Sequence, residues 1–318
     1  MPYVEAAGAQ LYFEEHGRGY PIVFVHEFGS DSREWKDQVR YFSRGYRCIA
    51  YNARGYPPSD VPEESALYSW EFSVDDIAAV MRGLAIERAH VVGMSMGGYA
   101  ALQFGLRHPE KASAIVAAAA GSGSPPSQRE TWSRETSILA RAFIERGMGS
   151  MAEKIANSPT RTPLKYKDPK SWQEFVDQLR QHSAPGMANT MARCQGLRPP
   201  LHDLQDQFAE MTLPVLLVVG DEDEPCLETN LMLKAALPNA GLWICPNTGH
   251  AINLEEPAAF NAQVESFLGA VERGSWRRGF SIANRSKPKT AERPIRLNSP
   301  IRVDEQRTDA EVVPLHHK

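Results

Sequence analysis

The sequence predicts an α/β fold in which a mostly parallel β-sheet carries helices on both faces. Short apolar segments alternate with helix-like segments, and the apolar runs are nearly continuous, as in strands that are covered on both sides. These runs are residues 21–29, 46–55, 89–95, 112–120, 214–223 and 241–246. Two shorter segments, 3–6 and 10–15, flank Gly8 and predict an antiparallel hairpin at the edge of the sheet. Helix-like segments occupy 73–84, 96–108, 228–236 and 257–271.

One connection is much longer than the others. About ninety residues separate the strand predicted to end near residue 120 from the one predicted to begin near residue 214. A structureless loop of that length is uncommon in a compact domain, and the segment is helix-like, with many Met and aromatic residues. We therefore expect residues 1–120 and 213–272 to form the core domain, and residues 121–212, the helical insertion, to form a cap. Most of its apolar side chains are expected to pack inside the cap, and a few to line an apolar substrate pocket.

The last segment of the chain differs in composition. Residues 273–318 carry eleven Lys and Arg against five Asp and Glu, with few large apolar residues, and we expect a disordered basic tail. The formal net charge of the chain is −4, which argues against nucleic acid as the main partner. No apolar run is long enough to span a membrane, and the first residues do not resemble a signal peptide. Four scattered cysteines without a CxxC pair indicate reduced thiols in a cytoplasmic protein, with no disulfide frame and no metal site.

A glycine-flanked serine is the strongest chemical signal in the sequence. Residues 93–97 read Gly-Met-Ser-Met-Gly and lie between a predicted strand and a predicted helix. A serine on such a sharp turn needs neighbours without side chains two residues to either side, and the turn leaves its hydroxyl exposed at the carboxyl end of the sheet. The pattern predicts Ser95 as a nucleophile, with the Met96 amide at a helix N-terminus directed at a developing oxyanion.

A serine nucleophile requires a base, and the base requires a carboxylate that orients it. His250 follows the last predicted strand in a glycine-containing loop and is the candidate base. Four consecutive acidic residues, 221–224, follow the preceding strand. One of these carboxylates is expected to reach His250, but the spacing alone does not choose among them.

These residues give the chain, over about residues 1–272, a resemblance to the α/β-hydrolase superfamily, whose order is also serine, acid, histidine. The resemblance implies an α/β-hydrolase fold with an inserted helical cap. It favours Asp223, three residues after Gly220, as the acid, with Asp221 as the alternative. It also implies that the Phe28 amide is the second oxyanion donor, because the loop after the first parallel strand resembles the His-Gly-x-Gly loop of many members.

This chain departs from the superfamily pattern in that loop, which reads His-Glu-Phe-Gly. A carboxylate directed into the oxyanion hole would oppose the developing charge, so we expect Glu27 to turn toward the cap or solvent. His26 is expected to brace the loop. Residues 51–60 resemble the D-x-R-G-x-G-x-S turn that follows a strand in the superfamily, and Arg54 is expected to brace this turn.

The resemblance is strongest to small esterases, enol-lactonases and cofactor-free perhydrolases. It implies a serine hydrolase that cleaves a carboxylic ester or lactone without metal or organic cofactor. Two alternatives remain open: a carbon–carbon bond hydrolase of ring-cleavage products, and a non-enzymatic small-molecule receptor with a retained triad. For the first, Arg193 is a candidate carboxylate anchor, although a solvated arginine is the simpler interpretation. The sequence does not indicate the substrate or the oligomeric state.

Overall fold

The fold is centred on one twisted β-sheet, seen in a computed structural model that describes residues 2–276. In these residues the sheet has eight strands in the order β1-β2-β4-β3-β5-β6-β7-β8. The strands are β1 Tyr3–Ala6, β2 Ala9–His16, β3 Tyr20–Val25, β4 Tyr46–Tyr51, β5 Ala89–Met94, β6 Ala112–Ala118, β7 Val215–Gly220 and β8 Ala240–Cys245. The predicted strands and the edge hairpin are all present, which confirms the predicted fold class.

The pairing of the strands fixes where a ligand can bind. β2 pairs antiparallel with β1 and with β4, and every pair from β4 to β8 is parallel. The carboxyl ends of β3, β5, β7 and β8 therefore lie along the same edge of the sheet. Ligands of open α/β sheets bind outside these ends, where loops and helix N-termini converge.

Helices cover both faces of the sheet, because alternate strand residues point to opposite sides. Val23 and Val25 of β3 pack in one buried cluster and Ile22 and Phe24 in the other. Helices α2 (Trp70–Gly83), α3 (Met96–Arg107) and α9 (Glu224–Ala236) pack on the first cluster. Helices α1 (Lys36–Phe42) and α11 (Pro257–Glu272) pack on the second, and the short α10 (Ile252–Glu255) precedes α11.

Helix starts are less accurately predicted than strands. α2 begins at Trp70, three residues before the predicted start, because the Ser69 hydroxyl caps it by accepting from the Phe72 amide. α9 begins at Glu224 rather than 228, with Pro225 in its first turn, where a missing N–H has no consequence. α1 was not predicted, since its seven residues carry only a short apolar stripe.

The helical insertion consists mainly of helices. These are α4 (Arg129–Ala156), α5 (Thr162–Lys167), α6 (Pro169–Gln181), α7 (Ala184–Asn189), a π-helical turn (Thr190–Gln195) and α8 (Gln205–Glu210). Phe143, Met151 and Leu179 of the insertion share a buried cluster with Phe28 and Met96 of the core. The insertion therefore packs directly on the loops that follow β3 and β5.

Arg54 braces the turn after β4, as predicted. Its guanidinium donates to both carboxylate oxygens of Asp76, at 2.8 and 2.6 Å, and the pair is almost fully buried. Arg54 also donates to the carbonyl oxygens of Ala7 and Leu67.

Most of the predicted basic tail lies outside the described residues. At its beginning, the Trp276 indole stacks edge-on against Phe267 and donates to the Asn239 carbonyl at 3.1 Å. None of the helices within residues 2–276 combines the length and the hydropathy that a bilayer span requires.

Candidate active site

Ser95 lies on a strained turn between β5 and α3. Its backbone angles are φ 52° and ψ −108°, a conformation rarely adopted by residues with a side chain. A Cβ atom at Gly93 would lie 2.1 Å from the Gly97 carbonyl oxygen, and one at Gly97 would lie 2.0 Å from the Val25 carbonyl oxygen. Both glycines are therefore required by close backbone approach, which explains the spacing in the sequence.

His250 lies in the loop after β8 and reaches the serine. Its Nε2 is 2.8 Å from Ser95 Oγ. The His250 amide donates to the Thr160 carbonyl at 2.7 Å, and the neighbouring Gly249 amide donates to the Glu255 carboxylate at 2.9 Å. The histidine is thus positioned by the helical insertion on one side and by α10 on the other.

Among the four acidic residues after β7, Asp223 is the one that contacts the histidine. Its Oδ2 lies 2.9 Å from His250 Nδ1, and the residue is fully buried. A carboxylate only accepts, so Nδ1 donates to it and Nε2 is left to accept from the Ser95 hydroxyl. Asp221 is exposed, and its Oδ1 instead accepts from the Thr248 amide at 3.1 Å.

The start of α3 and the loop after β3 each carry a backbone amide for which the sequence predicts a role. Met96 is the first residue of α3, and its N–H has no acceptor among residues 2–276, nor has that of Phe28. The Gly97–Val25 approach holds the start of α3 against the loop that carries Phe28. His26 braces this loop: its Nε2 accepts from the Ala53 amide at 3.0 Å, and its Nδ1 donates to the Glu27 carbonyl at 2.7 Å. Burial lowers the pKa of His26, in keeping with a neutral bracing role.

A cavity of about 270 Å³ opens above Ser95 and His250. Phe28 and side chains of the helical insertion provide most of its apolar wall, and two cationic residues, Lys154 and Arg161, also line it. The apolar residues from the insertion are Trp132, Leu139, Ile155 and Met191. These four side chains are the apolar residues that the insertion contributes to the wall of this cavity.

Comparison with known proteins identifies the family. The model of the alpha/beta hydrolase family matches residues 22–263. The chain belongs to the α/β-hydrolase family. A curated relative, 3-oxoadipate enol-lactonase 1 of Acinetobacter baylyi, is 27% identical over 254 residues, which cover 79% of this chain and 89% of the relative. A putative carbamate hydrolase of Caulobacter sp. strain K31 is 28% identical over 276 residues, covering 81% and 95% respectively.

Solved structures of hydrolases share the fold of this α/β hydrolase over most of its length. The enol-lactonase from Burkholderia xenovorans LB400 superimposes with a TM-score of 0.74 at 24% identity, covering 84% of this chain and all of the other. Est816, described as an N-acyl homoserine lactone degrading enzyme, has a TM-score of 0.67 at 26% identity, with the same coverage. At 24% identity, the similarity to the Burkholderia enol-lactonase structure shows a shared fold.

Glu27 turns toward the helical insertion, as expected, but not toward solvent. It is 1% exposed, and its Oε2 pairs with the Arg161 guanidinium and lies 3.5 Å from His250 Nε2. The Glu27 amide donates to the Glu34 carboxylate at 3.0 Å. Burial and the neighbouring Glu27 raise the pKa of Glu34 well above its usual range. Arg161 therefore offsets the negative charge of Glu27, the residue that this α/β hydrolase has where many members have glycine.

Sequence reasoning missed Arg161, Lys154 and Ser122 as site residues. They come from the helical insertion, where no motif marks them. The one signal was Glu27, which stands where many superfamily members have glycine, because a buried carboxylate there needs a cation beside it. Arg193, considered as a carboxylate anchor, is exposed and does not line the cavity.

A cysteine also lies close to the acid and the base. Asp223, Cys226 and His250 place potential metal-ligating atoms within 4.8 Å of one another. The Cys226 thiol donates to the Ala119 carbonyl at 3.2 Å, and burial raises its pKa well above the usual range. Asp223 Oδ2 and His250 Nδ1 of this cluster contact each other at 2.9 Å, so two of its three potential ligands already form the acid–base pair described above.

Proposed function

We propose that this α/β hydrolase cleaves carboxylic esters or lactones through an acyl-enzyme on Ser95. The observation that carries the proposal is the continuous chain of contacts from Ser95 Oγ to His250 Nε2 at 2.8 Å and from His250 Nδ1 to Asp223 Oδ2 at 2.9 Å. Nucleophile, base and orienting carboxylate are in this chain within hydrogen-bond reach of one another.

In the proposed mechanism, Ser95 Oγ attacks the substrate carbonyl carbon while His250 Nε2 takes the hydroxyl proton. Asp223 fixes the imidazole tautomer and stabilises the imidazolium that forms. The amides of Phe28 and Met96 donate to the oxyanion of the tetrahedral intermediate. Collapse of the intermediate transfers the proton to the departing alkoxide. His250 then deprotonates a water molecule that attacks the acyl carbonyl. As this second intermediate collapses, His250 returns the proton to Ser95 Oγ and the carboxylic acid is released.

An ester or lactone is favoured as the substrate class by the names of the relatives and by the cavity. Two relatives are described as acting on lactones, which is a property of those proteins. The cavity is small and largely apolar, which fits a compact acyl or alcohol group. We also propose that the helical insertion is the cap that selects this group, and the reaction as written needs no cofactor. The proposal of a cytoplasmic location rests on the cysteine pattern, and the four cysteines are buried and unpaired.

The test is hydrolysis of p-nitrophenyl acetate and p-nitrophenyl butyrate by the wild type and by the Ser95→Ala variant. We expect turnover by the wild type, none above background by the variant, and the same circular dichroism spectrum for both. An organophosphonate probe should label Ser95 stoichiometrically. Labelling of another residue, or equal turnover by Ser95→Ala, would contradict the proposal.

A further inference from the structure

A second cavity adjoins the catalytic one. It has a volume of about 320 Å³ and lies between the two ends of the helical insertion, above Tyr99 of α3. Ser122 and Trp132 line both cavities and form the boundary between them. The Trp132 ring is held in place, since its indole N–H donates to the Gln195 carbonyl at 3.0 Å and its face packs on Gly123.

Arg198 is the most unusual group in this second cavity. Its guanidinium carbon lies 4.8 Å from the Tyr99 ring centroid and 5.3 Å from that of Trp132, so two aromatic rings fix its position. One of its nitrogens, Nη2, donates to the Ser122 carbonyl at 2.9 Å. Its other N–H groups bond to no acceptor within residues 2–276, and burial lowers the pKa of Arg198.

The charge around Arg198 is unbalanced. No Asp or Glu lines the second cavity, and no carboxylate in the described part of the chain pairs with Arg198. The other arginine in the wall, Arg129, is paired with Asp203 at 2.6 Å. An arginine keeps its charge even when partly buried. The fixed guanidinium of Arg198 is therefore a cation without a counter-ion in the described part of the chain.

We propose that Arg198 binds a carboxylate carried by the substrate, at the end remote from the scissile bond. The proposal rests on the proposed function and specifies its substrate class: anionic esters or lactones, such as half-esters of dicarboxylic acids. The reacting carbonyl lies at Ser95, the chain passes Ser122 and Trp132, and the carboxylate meets the free edge of the guanidinium. A planar, fixed guanidinium matches a carboxylate with two parallel hydrogen bonds.

The experiment compares mono-p-nitrophenyl glutarate, which is anionic, with neutral p-nitrophenyl butyrate. The measured quantity is the ratio of kcat/KM for the anionic ester to that for the neutral ester. In the Arg198→Gln variant we expect this ratio to fall about ten- to hundredfold, mainly through a higher KM, because a charge-assisted contact is lost. Arg193→Gln is the matched control, since Arg193 is a neighbouring arginine that is exposed and lines neither cavity. This control should leave the ratio unchanged.

An unchanged ratio in Arg198→Gln would overturn the proposal, as would an equal fall in Arg193→Gln. If Arg198→Gln is misfolded by circular dichroism, Arg198→Lys replaces it, with a smaller fall expected because the charge remains and the planar donor pair is lost.

Failure of the proposed function can be recognised separately. If the wild type hydrolyses neither ester, calorimetric titration with glutarate still tests the cavity. Binding to the wild type and to Ser95→Ala, but not to Arg198→Gln, would support the anion site. The absence of glutarate binding to the wild type would overturn it.

Discussion

Replacing Asp223 by asparagine tests the assignment of the acid. The carboxylate accepts from His250 Nδ1 at 2.9 Å and is fully buried, so water cannot substitute for it. The amide of asparagine carries no charge to stabilise the imidazolium, and if its NH2 group faces Nδ1 the imidazole adopts the wrong tautomer for accepting from Ser95. In serine proteases the equivalent change lowers kcat about 10⁴-fold. We expect kcat/KM to fall about 10³- to 10⁴-fold, which is about 4–5 kcal/mol of transition-state stabilisation.

The assay is steady-state hydrolysis of p-nitrophenyl butyrate, with Asp221→Asn as the matched control. Asp221 lies two residues away and is exposed, and among residues 2–276 its side chain accepts only from the Thr248 amide. An asparagine oxygen can replace that acceptor, so we expect the control to retain kcat/KM within about threefold. A larger loss in Asp221→Asn than in Asp223→Asn would refute the assignment.

Three further predictions concern stability. Gly97→Ala places a Cβ atom 2.0 Å from the Val25 carbonyl oxygen and should destabilise the protein and abolish hydrolysis. The control is Gly149→Ala, in an open position on α4, which should leave the free energy of unfolding in urea unchanged or raise it by about 0.5–1 kcal/mol. Glu27→Gln leaves Arg161 as a largely buried, unpaired cation and should lower the free energy of unfolding in urea by about 3 kcal/mol. The Glu27→Gln, Arg161→Gln double variant should recover part of that stability, and additive losses from the two substitutions would contradict the pairing. Burial lowers the pKa of His182 from 6.5 to about 4, so as the pH falls the unfolded chain is protonated at this residue before the folded protein is. The free energy of unfolding should therefore fall by about 2 kcal/mol between pH 7 and pH 5, and His182→Asn should show a correspondingly smaller fall.

The sheet and the serine turn were accessible from the sequence because their constraints are local. Continuous apolar runs define strands that are covered on both faces, and the spacing of Gly93 and Gly97 reflects two close backbone approaches. Helix starts were less accessible, since a single capping hydroxyl at Ser69 moves the start of α2 by one turn.

The remaining site features depend on contacts between distant parts of the chain. Residue spacing left the acid open, and the choice between Asp221 and Asp223 depends on how the loops after β7 and β8 meet. There, a Cβ atom at Gly220 would lie 2.0 Å from the Thr248 carbonyl oxygen. The pairing of Glu27 with Arg161 joins residues 134 positions apart and could not be read from either segment alone.

The contact between Thr160 and His250 has a consequence for substrate access. The turn that carries Thr160 and Arg161 is fastened to the histidine backbone and, through Glu27, to the loop after β3. Any outward swing of the insertion at this corner would pull the imidazole away from the serine. The helical insertion is therefore coupled to His250 at this corner, and a change in the turn that carries Thr160 would disturb the contact between His250 and Ser95.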